Sequence, residues 1–288
     1  MEHRRSNDAW KVISWLPVIF AVLLIRSTLI EAMMVPTPSM ATTVKVGDFL
    51  LVNKLAYGVK APFTTHRLVP VGNPRRGDIV VFRCPADPDR PQPAANYVRL
   101  FPKWLPLLPA YWCIHDNPGF FGHRRGLVFY TPRNFVKRCV AVAGDTVEVR
   151  AKQLLVNGVP VNDPHAASVR PETIPARRPD NYQQRWEQAG FSSDINVRDN
   201  FGPVIVPVGC LMAMGDNRDN SWDSRFWGPL DLKYLRGKPL VMYMSYDFPV
   251  PEGSTEYDYE VQPNAGSIIQ ALLHPYRVRL NRIGHLLT

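Results

Sequence analysis

The sequence has few of the features that mark metal-binding, redox and nucleic-acid-binding proteins. It contains four cysteines in 288 residues, and no two stand in a CxxC spacing, which makes a metal site a poor interpretation. The net charge is +9, but the basic residues are scattered and form no run of five or more. We therefore expect no metal, no cofactor and no nucleic-acid partner, and the positive charge favours an anionic membrane surface.

A long hydrophobic run is also missing. The uncharged apolar stretch of residues 12–25 would span only about 21 Å as a helix, against a hydrocarbon core of about 30 Å. Extension to Ile30 gives a sufficient span, with Arg26 reaching the outer interface. The sequence thus predicts one transmembrane helix at residues 12–30.

Basic residues before this helix, Arg4, Arg5 and Lys11, predict its orientation. The positive-inside rule places residues 1–11 in the cytoplasm and residues 31–288 on the outer side. The alternative is a cleavable signal peptide, but no small-x-small site follows promptly, which favours an uncleaved anchor.

Outside the cytoplasm the cysteines could oxidise. A Cys84–Cys113 bridge is one of three possible connectivities.

The remainder predicts a mainly β fold of short antiparallel strands. Gly-Asp pairs at Gly47, Gly77 and Gly144 adjoin apolar alternating runs, and Asn157-Gly158 is a strong hairpin signal. We expect strands within these ranges: 44–57, 76–82, 136–149, 154–161, 204–214 and 239–246.

Three segments depart from this pattern. Residues 84–135 form a Pro-rich, aromatic insertion that packs on the β core or lies at a lipid interface. Residues 164–200 are polar and charged, which indicates a solvated subdomain or long loop. The stretch 267–273 predicts one or two helical turns, and the basic tail beyond it is expected to be a solvated face rather than a membrane-facing one.

A candidate nucleophile stands just beyond the predicted anchor. Ser39 follows Pro36, Thr37 and Pro38, and the two prolines predict a stiff, extended backbone there rather than a helix. Taken alone, a serine in a Pro-rich loop is most often ordinary surface.

A serine hydroxyl needs a base. None of the seven histidines falls in a strand pattern. A desolvated lysine can replace histidine, because apolar surroundings disfavour the ammonium. Lys137 enters an apolar strand, and by alternation either Lys137 or Arg138 must face the inner side of the sheet. Lys137 is therefore the candidate base, and the alternative is a lysine that points to solvent.

Residues 215–228, GDNRDNSWDSRFWG, are rich in Asp, Asn, Ser and Arg and are framed by glycines. This composition indicates a tight loop with internal side-chain hydrogen bonds and ion pairs. The ligand spacing of an EF-hand is absent.

Together these blocks resemble bacterial type I signal peptidase, a family of membrane-anchored serine proteases with a Ser/Lys dyad. The resemblance rests on Ser39-Met40 and on residues 46–58, 76–82, 136–145 and 215–228, in the order of the family, and the tail at 279–284 is also similar. It implies a signal-peptidase-like β fold.

The resemblance also implies a role for each matching residue. Ser39 would be the nucleophile and Lys137 the general base. The Ser39 N–H and the Thr37 hydroxyl would bind the oxyanion, and Ser221 would orient Lys137 through a hydrogen bond. The remaining positions are a structural ion pair and a set of substrate-binding residues: Asp223 with Arg225, and Val35, Met40, Phe135 and Val136.

The implied function is removal of signal peptides from translocated preproteins at the inner (cytoplasmic) membrane, by cleavage after small residues of the Ala-x-Ala type. Expected partners are preproteins, membrane lipid and the translocation machinery. The 53 residues between Phe82 and Val136 exceed what many members have. This insertion keeps open a specialised relative that processes a restricted set, such as pilin or conjugation proteins. A catalytically silent tethered domain that binds exported chains is an alternative of another class.

Overall fold

The computed structural model describes the following residues: 14, 15, 17, 18, 21, 25, 28–60, 67–83, 97–99, 110–119, 122–129, 134–191, 195–261, 269 and 273–287. Most of the predicted anchor and most of the predicted turns at 267–273 lie outside these residues. In the part that is described, no helix has the length and apolar character needed to cross a bilayer. Ile30, the last residue predicted for the anchor, is the first residue of a strand.

The described chain is mainly β. Its strands, in order, are β1 (Ile30–Met34), β2 (Asp48–Asn53), β3 (Val59–Lys60), β4 (Arg67–Val69), β5 (Ile79–Arg83), β6 (Tyr97–Arg99), β7 (Ala110–Gly119), β8 (Gly122–Phe129), β9 (Asn134–Val142), β10 (Thr146–Arg150), β11 (Gln153–Val156), β12 (Val159–Pro160), β13 (Phe201–Ile205), β14 (Cys210–Met214), β15 (Leu230–Asp231) and β16 (Leu235–Ser245). Two short helices are α1 (Tyr182–Glu187) and α2 (Ser224–Trp227). Single 3₁₀ turns lie at Pro38–Met40, Leu232–Tyr234, Pro275–Arg277 and Leu280–Arg282.

These strands form antiparallel sheets, as predicted. The largest has the order β1-β2-β16-β5-β9-β14-β15, and a second has the order β12-β11-β10-β13. Two smaller sheets are β3-β4 and β6-β7-β8, and the latter contains most of the described part of the predicted insertion, whose last two residues begin β9. β9 belongs to the first of the two larger sheets and continues through the Gly144 turn into β10, which belongs to the second. The two sheets are therefore directly connected in the chain.

The three Gly-Asp pairs build the same turn. Gly47, Gly77 and Gly144 have φ of +87°, +93° and +88°, a region that favours glycine because it has no Cβ. The carboxylate of the following aspartate accepts a hydrogen bond of 2.7–2.8 Å from the amide three residues earlier. Local chemistry therefore sets where these strands begin.

Only the second part of the predicted strand range 44–57 is a strand. Residues 41–47 form turns, in which the amides of Thr43 and Val44 both bond the Met40 carbonyl, and only β2 is a strand. Gly47 also approaches the Tyr246 carbonyl so closely that a Cβ there would lie 2.1 Å from the oxygen. The chain turns here because β2 has to enter the sheet beside β16.

The polar segment at 164–200, predicted as a solvated subdomain or long loop, is exposed or half-buried over most of residues 164–190, but part of it packs on the core. Its Trp186 and Phe191 are buried in one apolar cluster with residues of β10, β11, β13 and β14, and Trp186 Nε1 donates to the Ser224 carbonyl at 2.7 Å. Burial of these two large aromatic side chains stabilises the packing of the segment on the core, although most of its residues are polar.

The basic tail is not a solvated face either. Arg282 donates to the buried Asp48 carboxylate at 2.6 and 3.1 Å, and Arg279 lies 3.5 Å from the same group. A buried carboxylate needs cationic partners, which explains why the tail folds back.

As for the thiols, Cys139 and Cys210 are free, whereas Cys84 of the suggested bridge lies outside the described residues.

Candidate active site

The turn that carries Ser39 differs from its predicted conformation. Pro38–Met40 form one 3₁₀ turn, while Thr37 before it is extended, with φ −123° and ψ 151°. The expectation of an extended Ser39 was wrong, because a proline restricts the residue before it and not the one after, and its own φ suits the first position of a helical turn. Ser39 is buried at the centre of this turn.

Lys137 reaches this turn from β9. Its Nζ lies 2.5 Å from Ser39 Oγ, and the two side chains belong to residues that are 3% and 8% exposed. The Phe135 ring lies on the same side of β9, with its centre 5.5 Å from the amine. The strand thus places a primary amine against a hydroxyl, with little access for water.

Arg138 points to the opposite side and is buried as well. Its guanidinium makes a two-point contact with the Asp216 carboxylate at 2.8 and 2.7 Å, and Thr43 Oγ1 donates to the same carboxylate at 2.6 Å. Burial alone would lower the pKa of Arg138, but its hydrogen bonds to Asp216 and the charge of that group raise it. The alternation of Lys137 and Arg138 therefore directs the amine to Ser39 and the guanidinium to the loop at 215–228.

This loop holds the Ser39 turn from the other side. The Asn217 amide donates to the Ser39 carbonyl at 3.1 Å, and its side-chain Nδ2 donates to the Pro38 carbonyl at 3.2 Å. The Asp216 amide contacts Met40 Sδ at 3.4 Å. Sequence reasoning missed Asp216 and Asn217 as positioning residues; their polar character showed in the sequence, but no spacing indicated that they would contact residues more than 170 positions away.

Asp223 and Arg225 form a fully buried ion pair with contacts of 2.9 Å. Asp223 also accepts from the Gly215 amide at 3.1 Å, and Arg225 donates to the Arg218 carbonyl at 2.8 Å. Burial opposes the charge of Asp223, but the Arg225 guanidinium outweighs it and holds the pKa of the carboxyl below its ordinary value. The pair connects both ends of the loop.

The predicted hydrogen bond between Ser221 and Lys137 is not formed. Ser221 Oγ is buried and has no hydrogen-bond partner within the described part of the chain. It packs against Gly215, where a Cβ would come within 2.2 Å of this oxygen. Lys137 instead directs its amine to Ser39 Oγ.

The remaining predicted residues surround the turn. Thr37 Oγ1 lies 3.4 Å from Ser39 Oγ. Val35, Met40 and Val136 are buried in one apolar cluster, whereas Phe135 lies on the other face of β9 and packs edge-to-face on Phe82. Three of the four predicted substrate-binding residues are thus brought together.

No group of three or more His, Cys, Asp or Glu side chains that could hold a metal ion occurs among the described residues. The arrangement suits nucleophilic attack by Ser39 Oγ with Lys137 as the proton acceptor.

Comparison with known proteins relates the chain to one family. Residues 9–244 match the family described as "Signal peptidase, peptidase S26". Signal peptidase I of Pseudomonas aeruginosa is 32% identical, over 82% of this chain and 72% of that protein. Signal peptidase I of Aquifex aeolicus is 30% identical, over 93% of this chain and 94% of the other. A solved signal peptidase I from Enterococcus faecalis V583 matches at 19% identity, with a TM-score of 0.28, over 58% of this chain and 97% of that one, which carries no argument about the fold. The family match covers well over half of the sequence, and the chain belongs to the signal peptidase family, peptidase S26.

Proposed function

We propose that this protein is a membrane-bound serine endopeptidase that removes N-terminal signal peptides from translocated preproteins, with Ser39 and Lys137 as its catalytic dyad. Membership of the signal peptidase family supports the reaction class and the substrate class. The observation that carries the dyad is the 2.5 Å contact between Ser39 Oγ and Lys137 Nζ in a buried environment.

In the proposed reaction Lys137 takes part as a neutral amine. It accepts the Ser39 proton while Oγ attacks the scissile carbonyl carbon, and the ammonium then gives that proton to the leaving amine. The product of this half-reaction is an ester between Ser39 and the signal peptide. Water, activated by the same amine, hydrolyses the ester and regenerates both groups.

The oxyanion of the tetrahedral intermediate would be bound by the Ser39 N–H and the Thr37 hydroxyl. Ser39 lies in the turn at Pro38–Met40 and Thr37 directly precedes this turn, with Thr37 Oγ1 3.4 Å from the attacking oxygen. Pro38 between them has no N–H, which is harmless because the backbone donor belongs to Ser39. Two donors fixed at one turn stabilise the developing charge without having to reorganise.

Substrate selection would come from the apolar cluster beside the turn. Val35, Met40 and Val136 lie together in one apolar cluster, and an apolar surface there would favour small apolar side chains such as alanine before the cut. The substrate would bind as an extended strand next to the site, with Phe135 on the same face of β9 as Lys137 and Val136 on the other. The Asp223–Arg225 pair has a structural role in this proposal, because it shapes the loop that contacts the Ser39 turn.

The proposed topology explains where the enzyme acts. In this topology residues 1–11 are cytoplasmic, residues 12–29 form a single membrane anchor, and the chain from Ile30, where β1 begins, lies on the outer side of the cytoplasmic membrane. Ser39 then stands close to the outer lipid surface, where the end of a translocated signal peptide emerges from the translocation machinery. Membrane lipid would thus surround the anchor and also lie close to the catalytic domain, which makes it one of the proposed partners.

The decisive experiment uses the full-length protein in detergent or vesicles and a preprotein with an Ala-x-Ala cleavage site. Cleavage is expected for the wild type and for Lys233→Ala, an exposed lysine that serves as the matched control. Ser39→Ala and Lys137→Ala are expected to abolish it. Cleavage by either active-site variant would contradict the dyad, and binding without cleavage by the wild type would favour the silent tethered domain.

A second experiment separates a general from a specialised enzyme. The gene is expressed in a bacterial strain depleted of its general signal peptidase. Rescue of growth supports the general activity. Failure to rescue, with cleavage retained in vitro, supports a restricted substrate set and points to the insertion at 84–135 as its origin.

A further inference from the structure

Two polar side chains join strands that are not neighbours in the sheet. Asn134 Nδ2, at the start of β9, donates to Glu31 Oε1 on β1 at 2.9 Å. In the strand order, β2, β16 and β5 lie between these two strands. The sheet therefore curls until its first and fifth strands face each other.

The facing edges of β1 and β9 contain backbone N–H and C=O groups that the described strand ladders do not use. We call the space between these two edges the gap. In the described ladders β1 is the edge strand and pairs with β2. The segment of β9 from Asn134 to Lys137 pairs with β5 on one side, while the ladder with β14 on the other side begins at Arg138. Two strand edges that face each other offer hydrogen-bonding groups to an extended chain from both sides.

The Glu31–Asn134 bond and the dyad lie at opposite ends of this gap. All successive pairings from β1 to β9 are antiparallel, so β1 and β9 run in the same direction. Glu31 and Asn134 stand early in their strands, and the chain continues from them towards Ser39 and Lys137. Along β9 the distance is three residues, or about 10 Å at about 3.3 Å per residue.

An apolar seam connects the two ends. Side chains alternate along a strand, so Met33 and Val35 share the face of Glu31, and Val136 shares the face of Asn134. Val35 and Val136 belong to one buried apolar cluster, and the partly buried Met33 packs against it. Since strand side chains stand roughly perpendicular to the sheet, we expect the bond between Glu31 and Asn134 to lie to one side of the backbone edges.

A third residue fixes the bond. Lys54 Nζ lies 3.5 Å from Glu31 Oε2, so the carboxylate is held by a cation on one side and an amide on the other. The Lys54 amide also donates to the Leu29 carbonyl at 2.9 Å, which ties the start of β1 to the chain just after β2. Glu31 thus has a fixed place and is not a freely rotating surface side chain.

We propose that the Glu31–Asn134 hydrogen bond is a crosspiece that sets the separation of β1 and β9, and that it positions the substrate at about the fourth residue before the cut. This inference rests on the proposed function, which places the residues before the cut along Val35 and Val136. The crosspiece acts on binding of the extended chain and not on the chemistry at Ser39. Glu31 and Asn134 are therefore positioning residues.

The test measures kcat and KM of the full-length enzyme with the Ala-x-Ala preprotein. Glu31→Ala and Asn134→Ala are each expected to raise KM about 3- to 10-fold, the effect of one net hydrogen bond, and to change kcat less than about twofold. Glu31→Gln keeps the acceptor for Asn134 Nδ2 and should restore most of the wild-type KM. The double variant should lose no more than either single one, because both remove the same contact.

The control is Glu252→Ala, an exposed carboxylate in the segment 251–261. Unchanged KM in both alanine variants, or KM effects in the double variant equal to the product of the single ones, would overturn the crosspiece. A fall in kcat without a rise in KM would overturn it too. Cleavage by Ser39→Ala would instead refute the proposed function, so the two failures are distinguishable.

Discussion

Gly215 lies against the backbone of Ser39 so closely that a Cβ built on Gly215 would come within 2.5 Å of the Ser39 carbonyl oxygen. The same Cβ would lie 2.5 Å from Ser221 Cβ. The Asn217 amide donates to that Ser39 carbonyl, so the loop and the nucleophile turn meet at this point. The absence of a side chain at Gly215 therefore decides how near the loop approaches Ser39.

Gly215→Ala is expected to lower kcat by about 100-fold, because the methyl group must displace the Ser39 backbone and a shift of about 1 Å can cost that much. The matched control is Gly72→Ala, whose Cβ would have its nearest neighbour at 3.9 Å. Kinetics on a preprotein and thermal unfolding of both variants make the comparison. Full activity of Gly215→Ala would show that the turn tolerates displacement.

Thr37→Val removes the proposed oxyanion donor while keeping the shape of the side chain. Loss of one such donor is expected to reduce kcat about 10²- to 10³-fold with little change in KM. Thr37→Ser retains a hydroxyl and should remain active. If valine and serine at this position gave equal rates, the hydroxyl would have no part in catalysis.

Lys137→Arg places a permanent positive charge next to Ser39 Oγ and is expected to be inactive. A guanidinium does not lose its proton in a protein and so cannot act as a general base. Single-turnover assays with excess enzyme detect even slow acylation. Measurable acyl-enzyme formation by this variant would point to another base.

Arg282→Ala is expected to lower the free energy of unfolding by about 1.5–3 kcal/mol, the range for hydrogen bonds to charged groups. It leaves the fully buried Asp48 carboxylate without its 2.6 Å contact and also removes a 3.1 Å bond to the Thr43 carbonyl. Lys233→Ala is the control, because its ion pair with Asp231 is exposed and should contribute little to stability. Urea denaturation provides both values.

Stability should fall in acid. The pKa values of Asp145 and Asp223 are held below 3.8, the ordinary value, since their arginine partners outweigh the cost of burial. The folded state then binds fewer protons than the unfolded state, so this stability is present above the ordinary pKa and is lost as the pH falls through the folded values. Asp145→Asn should be less stable than the wild type near pH 7, and the difference should shrink below about pH 4. A difference that is constant with pH would contradict this assignment.

Much of the β architecture is local and therefore readable from the sequence. The Gly-Asp turns at Gly47, Gly77 and Gly144 depend on one left-handed residue and one carboxylate that bonds an amide three residues earlier. Such interactions involve neighbours in the chain, so their residue types alone predict where strands start. The error at residues 44–46 has a non-local cause, the close approach of Gly47 to Tyr246.

The candidate active site also contains residues that the sequence predicted and contacts that it did not. The sequence predicts Ser39 and Lys137 as a pair through family resemblance and through the need of a hydroxyl for a base, although 98 positions separate them. The expected hydrogen bond from Ser221 to Lys137 was wrong, and the contacts of Asn217 and Asp216 with the Ser39 turn were not anticipated. Each of these depends on where a loop ends in space, to within about an ångström.

The sequence by itself determined the β class, the loop chemistry and the residue types available for catalysis, because these follow from local conformational preference and side-chain chemistry. Only the tertiary structure decided that Arg138 turns towards Asp216 while Lys137 turns towards Ser39, and that Glu31 meets Asn134 across a curled sheet. Sheet curvature and strand register arise from packing of the whole core, and no short stretch of sequence contains them.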